Sequence, residues 1–331
     1  LLSLQLNKVS KSNNIFYLLT NRWQQWVVNK KGSFFYYLDV DDEWSMIIYD
    51  ESNRKKIEEN IRCFINKVDL VTTVTIELQK KYSSGDKVFF LPNAVDVSHY
   101  VPHFEESTHR IKEKTIKELS IDVKYLEGVK NDPRIYSTNL DKMKECKAPI
   151  AGAISGLSGN WSDFDFMSKV EQMLPQYFTM VSSGNIHPPT HPDFFEEHRH
   201  YLEKHRIIYL GFLDYSVLPD FLKFLNVGIV MHRMDAFNKH SAPNKIWAYL
   251  AMGLPVVSTD FLNDYDKEIY EGFVRFAKTP EKYVEYIIEE YQSDNLEKKK
   301  KRRELAVKYS TANRAEKLYK LIMEKKLNNS V

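Results

Sequence analysis

Short apolar runs alternate with stretches of helical periodicity along most of the chain. Residues 15–19 and 34–38 are apolar and aromatic runs of strand length, and 22–26 between them reads as helix or loop. Residues 51–67 place Ile57, Ile61, Phe64 and Ile65 on one helical face. A strand at 68–74, a short helix at 75–82 and a strand at 88–91 follow, closed by Pro92-Asn93-Ala94-Val95-Asp96. That β-α-β-α-β succession predicts a parallel sheet with crossover helices. The alternation resumes with a strand at 149–154, a loop at 155–159 and a helix at 163–174. Strands at 177–182 and 207–210, a helix at 217–225 and a strand at 227–231 come next, and a further strand at 274–277 precedes the closing helices. Residues 312–327 carry Ala312, Ala315, Leu318, Tyr319, Ile322 and Met323 on one stripe, an amphipathic helix.

The stretch 240–260 is the most informative. Ser241 and Pro243 are helix-start signals, Ile246, Tyr249 and Leu250 fall at helical spacing, and Gly253 with Pro255 marks the stop. Val256 and Val257 then open a buried strand. The N-terminal end of such a helix, beside Asn244 and Lys245, is a ready anion site, and the lysine points to phosphate. The alternative is an ordinary crossover whose lysine is solvated. His232 and Arg233 end the preceding strand, on the side where doubly wound sheets bind ligands. Ser155-Gly156-Leu157-Ser158-Gly159 lets phosphate or sugar approach the backbone, although its spacing is that of neither a dinucleotide fingerprint nor a P-loop.

Composition narrows the classes. The 331 residues suit about two domains, and a net charge of +2 argues against nucleic-acid binding through bulk charge. Cys63 and Cys146 exclude a disulfide framework or a cysteine-rich zinc site. The histidines at 187, 191, 198, 200 and 205 match no standard zinc spacing. The chain shows neither an apolar run long enough to span a membrane nor a signal peptide, so a cytoplasmic protein is expected.

Residues 241–259 resemble the donor-site signature of GT-B glycosyltransferases, with Ala242-Pro243-Asn244-Lys245 close to the Ser-Pro-x-Lys of bacterial capsule, exopolysaccharide and cell-wall polymer enzymes. Val68 to Thr75 and Val88 to Asp96 resemble the last units of that fold's N-terminal domain, with Ala94 in place of the usual glycine. The resemblance implies two Rossmann-like α/β domains with parallel sheets facing across a cleft. It divides the chain into a partial acceptor domain (1–100), a charged linker or insertion (101–147), a donor domain (148–310) and a C-terminal helix packing back on the first domain (311–331). The chain opens on Leu1, where such proteins carry further units, so the first domain reads as incomplete.

The resemblance further implies metal-independent transfer of a sugar from a nucleoside-diphosphate donor, with UDP favoured, to a glycan or lipid-linked acceptor. No cofactor is expected. Ser155, Gly156, His232, Arg233, Ser241, Ala242, Asn244 and Lys245 are the donor-site candidates, and Lys245 would stabilise the leaving diphosphate. Ala248 stands where the family has a ribose-binding Glu, which leans toward an inverting enzyme. Such an enzyme needs a base, and the Asp39-Val40-Asp41-Asp42 cluster offers Asp41, then Asp39. The same letters could be the Asp-x-Asp metal motif of the other glycosyltransferase fold, or plain turn aspartates. The cationic run Lys298–Arg303 reads as a solvated helix face or as a peripheral contact with anionic membrane at the inner face. The rival functions are a sugar-nucleotide epimerase of the same shape and a catalytically silent nucleotide-sugar-binding scaffold.

Overall fold

The computed structural model describes residues 16–19, 28, 35–43, 45–46, 51–83, 85–101, 104, 149–154, 161–184, 207–210 and 213–328. The helix or loop expected at 22–26, the loop expected at 155–159, nearly all of the 101–147 segment and the histidines from 187 to 205 lie outside them.

Strands β1 (Phe16–Leu19), β2 (Phe35–Val40), β3 (Leu70–Thr73) and β4 (Val88–Phe90) form one sheet in that order, with every pair parallel. Helix α1 (Glu51–Lys67) crosses from β2 to β3, and α2 (Ile76–Tyr82) from β3 to β4. Strand β2 runs two residues further than its apolar pattern, because Asp39 and Val40 pair with Thr72 and Thr73.

The second sheet contains β5 (Ile150–Ile154), β6 (Thr179–Ser183), β7 (Ile207–Tyr209), β8 (Val227–Val230), β9 (Val256–Thr259) and β10 (Val274–Ala277). All neighbours are parallel and the order is β10-β9-β8-β5-β6-β7. The winding reverses between β5 and β8, and at such a switch point a crevice opens beyond the carboxyl ends of the strands. Helices cover both faces, which is why β8 and β9 read as continuous buried runs. Helices α3 (Phe164–Met173), α4 (Leu218–Leu222), α5 (Asn244–Ala251), α6 (Asp264–Glu268), α7 (Pro280–Ser293) and α8 (Leu296–Lys308) belong to this unit. One core joins α3 and α7 through Phe166, Val170, Tyr283 and Ile287; the other surrounds α5.

Helix α5 is apolar all round: every residue from 246 to 251 is buried. It stops at Gly253, whose φ of 70° needs no β-carbon and whose Cα lies where one would meet the Phe104 ring at 2.8 Å. Arg302 Nη1 donates to the Gly253 carbonyl (2.9 Å) and Arg303 Nη1 to the Ala251 carbonyl (2.7 Å). Arg303 therefore satisfies the last carbonyl of α5 and Arg302 that of the turn that ends it, while the carbonyls of 248–250 accept from the backbone amides of 252–254. This corrects the reading of Lys298–Arg303 as one cationic face. Arg302 is 2% exposed and also paired with Asp294 at 2.7 Å, while Lys301 pairs with Glu297 on the outer side of α8.

After α8 the chain returns to the first sheet. Val95 and Ser310 form a parallel bridge, and α9 (Thr311–Asn328) lays Leu318, Leu321 and Ile322 against Phe35, Tyr37 and Leu70. Ala312, Ala315, Tyr319 and Met323, expected on this stripe, are instead exposed. No helix among the described residues is long and apolar enough to cross a membrane.

Removing the Arg302 guanidinium leaves the part-buried Asp294 carboxylate without its nearest cation and the buried Gly253 carbonyl without its donor. Arg302→Ala is expected to cost roughly 3–5 kcal/mol, against less than about 0.5 for exposed Lys300→Ala. The midpoints of urea unfolding measure both.

Candidate functional site

A cleft of about 460 Å³ opens between the two sheets, lined by Asp39, Asp41, Asp42 and Asn93 on one side and by Trp161, His232 and residues 241–245 on the other. Each wall is positioned by strand ends. The aspartates follow from the carboxyl end of β2, Asn93 from that of β4, and His232 from that of β8.

The second wall is cationic and donor-rich. Helix α5 begins at Asn244 with Pro243 as its N-cap residue, and no side chain caps it. The expected Ser241 cap is not made: the Ser241 hydroxyl donates backwards to the Asn238 carbonyl at 2.9 Å, tightening the turn before the helix. The N-terminal end of α5 thus meets the cleft without a competing side-chain acceptor, and exposed Asn244 and half-buried Lys245 stand on its first turn.

Lys245 Nζ donates to His232 Nε2 at 3.2 Å. Burial lowers the lysine to about 8, and burial together with the lysine charge holds His232 well below the usual histidine range. His232 Nδ1 is buried without a hydrogen-bond partner. Trp161 lies beside this pair, 6.0 Å from the His232 ring and edge-on to Phe237 at 4.7 Å.

The first wall is acidic, and its aspartates are not equivalent. Asp39, a candidate base, is engaged elsewhere: its two oxygens accept from Arg314 Nη2 at 3.1 and 2.9 Å, and Oδ1 from the Thr72 hydroxyl at 2.6 Å. The Asp39 carboxylate fastens α9 to the sheet. Asp41 is exposed. Asp42 is half-buried, and burial with the charges of Asp41 and Glu43 raises it to about 7. Glu43 is fully buried against Ser45, Tyr82 and Lys81. Among the described residues no group of three His, Cys, Asp or Glu side chains converges to hold a metal ion.

Other sequence candidates separate. Arg233 is exposed, pairs with Asp235 at 3.3 Å and is not part of the lining. Ser155 and Gly156 lie outside the described residues. Ala242 joins the walls, its carbonyl accepting from Asn93 Nδ2 at 2.7 Å. Asn93 and Trp161 were not among the expected site residues, and Asp42 stood in the acidic cluster behind Asp41 and Asp39. Asn93 was legible as turn chemistry, but its reach to residue 242 was not.

No protein-family model and no curated protein sequence matches the chain. Solved structures do. HepE of Anabaena, in complex with UDP and glucose, superimposes with a TM-score of 0.63 at 12% identity, covering 97% of this chain and 81% of that one. Sucrose-phosphate synthase of Thermosynechococcus elongatus gives 0.67 at 11%, covering 99% and 77%. A glycosyltransferase of Rickettsia africae gives 0.64 at 13%, covering 98% and 79%.

The fold is GT-B. In this GT-B chain the cleft falls between the two Rossmann-like domains, and further contacts tie them together. Asp266, 2% exposed on α6, accepts from the Ile76 amide at 2.7 Å and so caps α2 from the other domain. Val95 and Arg314 link the returning C-terminal helix to the β4 end, where the Pro92 carbonyl accepts from Arg314 Nε at 3.0 Å.

The roles of the aspartates predict different costs. Asp39→Asn weakens the hold on Arg314 and is expected to destabilise by about 1–3 kcal/mol. Asp41→Asn is expected to stay within about 0.5. Paired chemical-unfolding curves distinguish them.

Proposed function

We propose that the chain is a glycosyltransferase that moves a sugar from a nucleoside-diphosphate donor, a UDP-sugar in the first instance, to a hydroxyl acceptor of glycan or lipid-linked type. The observation that carries this reading is the opposition, across one cleft, of a cationic helix end and a set of carboxylates. Glycosyl transfer needs both: a positive site for the departing diphosphate and a base for the incoming hydroxyl.

In this reading the donor diphosphate lies against the N-terminal end of α5, with Lys245 Nζ as its cationic partner. The acceptor oxygen bonds to the anomeric carbon, the bond from that carbon to the diphosphate oxygen breaks, and its electron pair leaves on the diphosphate. The hydroxyl proton passes to a carboxylate of the opposite wall. Asp42 suits this better than Asp41, because its titration near neutrality lets it be ionised yet still accept a proton. The charge is balanced by side chains and backbone, and the proposal needs no metal. HepE, solved with UDP and glucose, supports the choice of UDP as the first donor to test. A role in surface polysaccharide synthesis at the inner face of a membrane extends the same reading, with the outer lysines of α8 as the contact.

The second reading, a silent nucleotide-sugar-binding protein, is favoured by Ala248, which is packed into the core around α5. Donor turnover separates the two.

UDP is expected to raise the melting temperature by mass action, and Lys245→Ala to abolish the shift. No shift with UDP, GDP or their sugars sinks the donor site. Given turnover, kcat/KM is expected to rise as pH climbs through about 7, where Asp42 ionises, and to fall beyond about 8, where Lys245 loses its proton. Asp42→Asn should remove the acid limb along with most of the rate, by about 10²–10⁴-fold. An unchanged profile transfers the role to another group.

A further inference from the structure

His232 is held in place from several sides. Its carbonyl accepts from the Thr259 hydroxyl at 2.6 Å, its backbone bridges Ser162, and the Phe261 ring lies 4.9 Å away between centroids. The residue is 3% exposed, so its ring presents a fixed nitrogen rather than a mobile one.

The polarity of its contact with Lys245 follows from the donor inventory. An ammonium has three donors and no acceptor, so at 3.2 Å Nε2 must accept. Nδ1 then carries the hydrogen and the imidazole is uncharged. Both the burial of the ring and the adjacent ammonium oppose its protonation.

We propose that His232 is the positioning residue for Lys245, a neutral acceptor that aims the ammonium at the open end of α5 without cancelling its charge. A carboxylate in the same place would orient the lysine equally well. It would also neutralise the site and compete with an incoming diphosphate. An uncharged nitrogen gives direction alone, and leaves the full cationic field for the ligand. The Nδ1 hydrogen, buried without a partner, is a second donor at the same strand end. The proposal rests on the donor-site reading above and adds to it a division of labour between orientation and charge.

Three substitutions separate these functions: His232→Gln keeps a neutral acceptor near Nε2, His232→Phe keeps the shape without one, and His232→Glu supplies a charged one. The first readout is the titration of Lys245 in the ligand-free protein, from competitive acetylation resolved by mass spectrometry. The titratable groups that share the cleft with it are His232, Asp39, Asp41 and Asp42, and Asp39 is engaged with Arg314. The second readout is the affinity for inorganic pyrophosphate and for UDP.

His232→Phe is expected to lower the Lys245 titration and weaken both anions about tenfold, the loss of one hydrogen bond to a charged group. His232→Gln should restore most of that affinity. His232→Glu should raise the Lys245 titration yet weaken both anions. A purely structural histidine would leave the Lys245 titration and both affinities the same in folded His232→Phe as in folded His232→Gln, and that result overturns the proposal. Failure of the unmodified protein to bind either anion refutes the donor-site reading instead, while the ligand-free titration still decides whether His232 positions the lysine.

Discussion

The structure depends on burying a short helix that has no polar face. Every residue of α5 from 246 to 251 is enclosed, so its ends are where its backbone must find partners. At the carboxyl end the Gly253 turn together with Arg302 and Arg303 supplies them, and two cations sit against the negative pole of the helix. At the amino end no side chain does so, and that end faces the cleft. Packing and capping are therefore one arrangement: the arginines stand at the negative pole of the helix, and the positive pole is left open to the cleft.

The opposite wall is built by long-range pairing. Asp39 and Arg314 are 275 residues apart in sequence and join the end of β2 to the C-terminal helix. Asp266 caps α2 across the domain boundary, and Asn93 holds the loop that enters α5. These contacts hold the cationic helix end opposite Asp41 and Asp42. Direct packing adds to these ties: Val95 and Tyr100 belong to the core around α5, and Ala242 packs against the core of the first sheet.

Much of this was legible residue by residue. Lys245 stood out as a lysine on the first turn of an apolar helix before a buried strand, where an anion site and a solvated crossover lysine were both open readings. The alternation of strands and helices announced parallel sheets, and the C-terminal stripe announced an amphipathic helix, although Leu321 rather than Tyr319 and Met323 completes its buried face. Ser241 looked like a cap because serine is good at capping; the turn at Asn238 claimed its hydroxyl first. Arg302 and Arg303 looked like the rest of a cationic run, since charge alone does not reveal which face of a helix turns inward.

The sequence by itself determined the periodicities, the punctuation by glycine and proline, and the chemical types available at each strand end. Those are local properties, set by the neighbours of each residue in the chain. The tertiary structure decided which of the aspartates is tied up in an ion pair, which is raised toward neutrality and which lies in solvent. It also made His232 an uncharged acceptor rather than a cation. The physical reason is that the state of an ionisable group depends on what stands within a few ångströms of it and on how much water it has lost. For Asp39 the deciding neighbour, Arg314, is 275 residues away, for His232 it is Lys245 on the next helix, and for Asp42 the adjacent charges of Asp41 and Glu43 act only because folding has buried it.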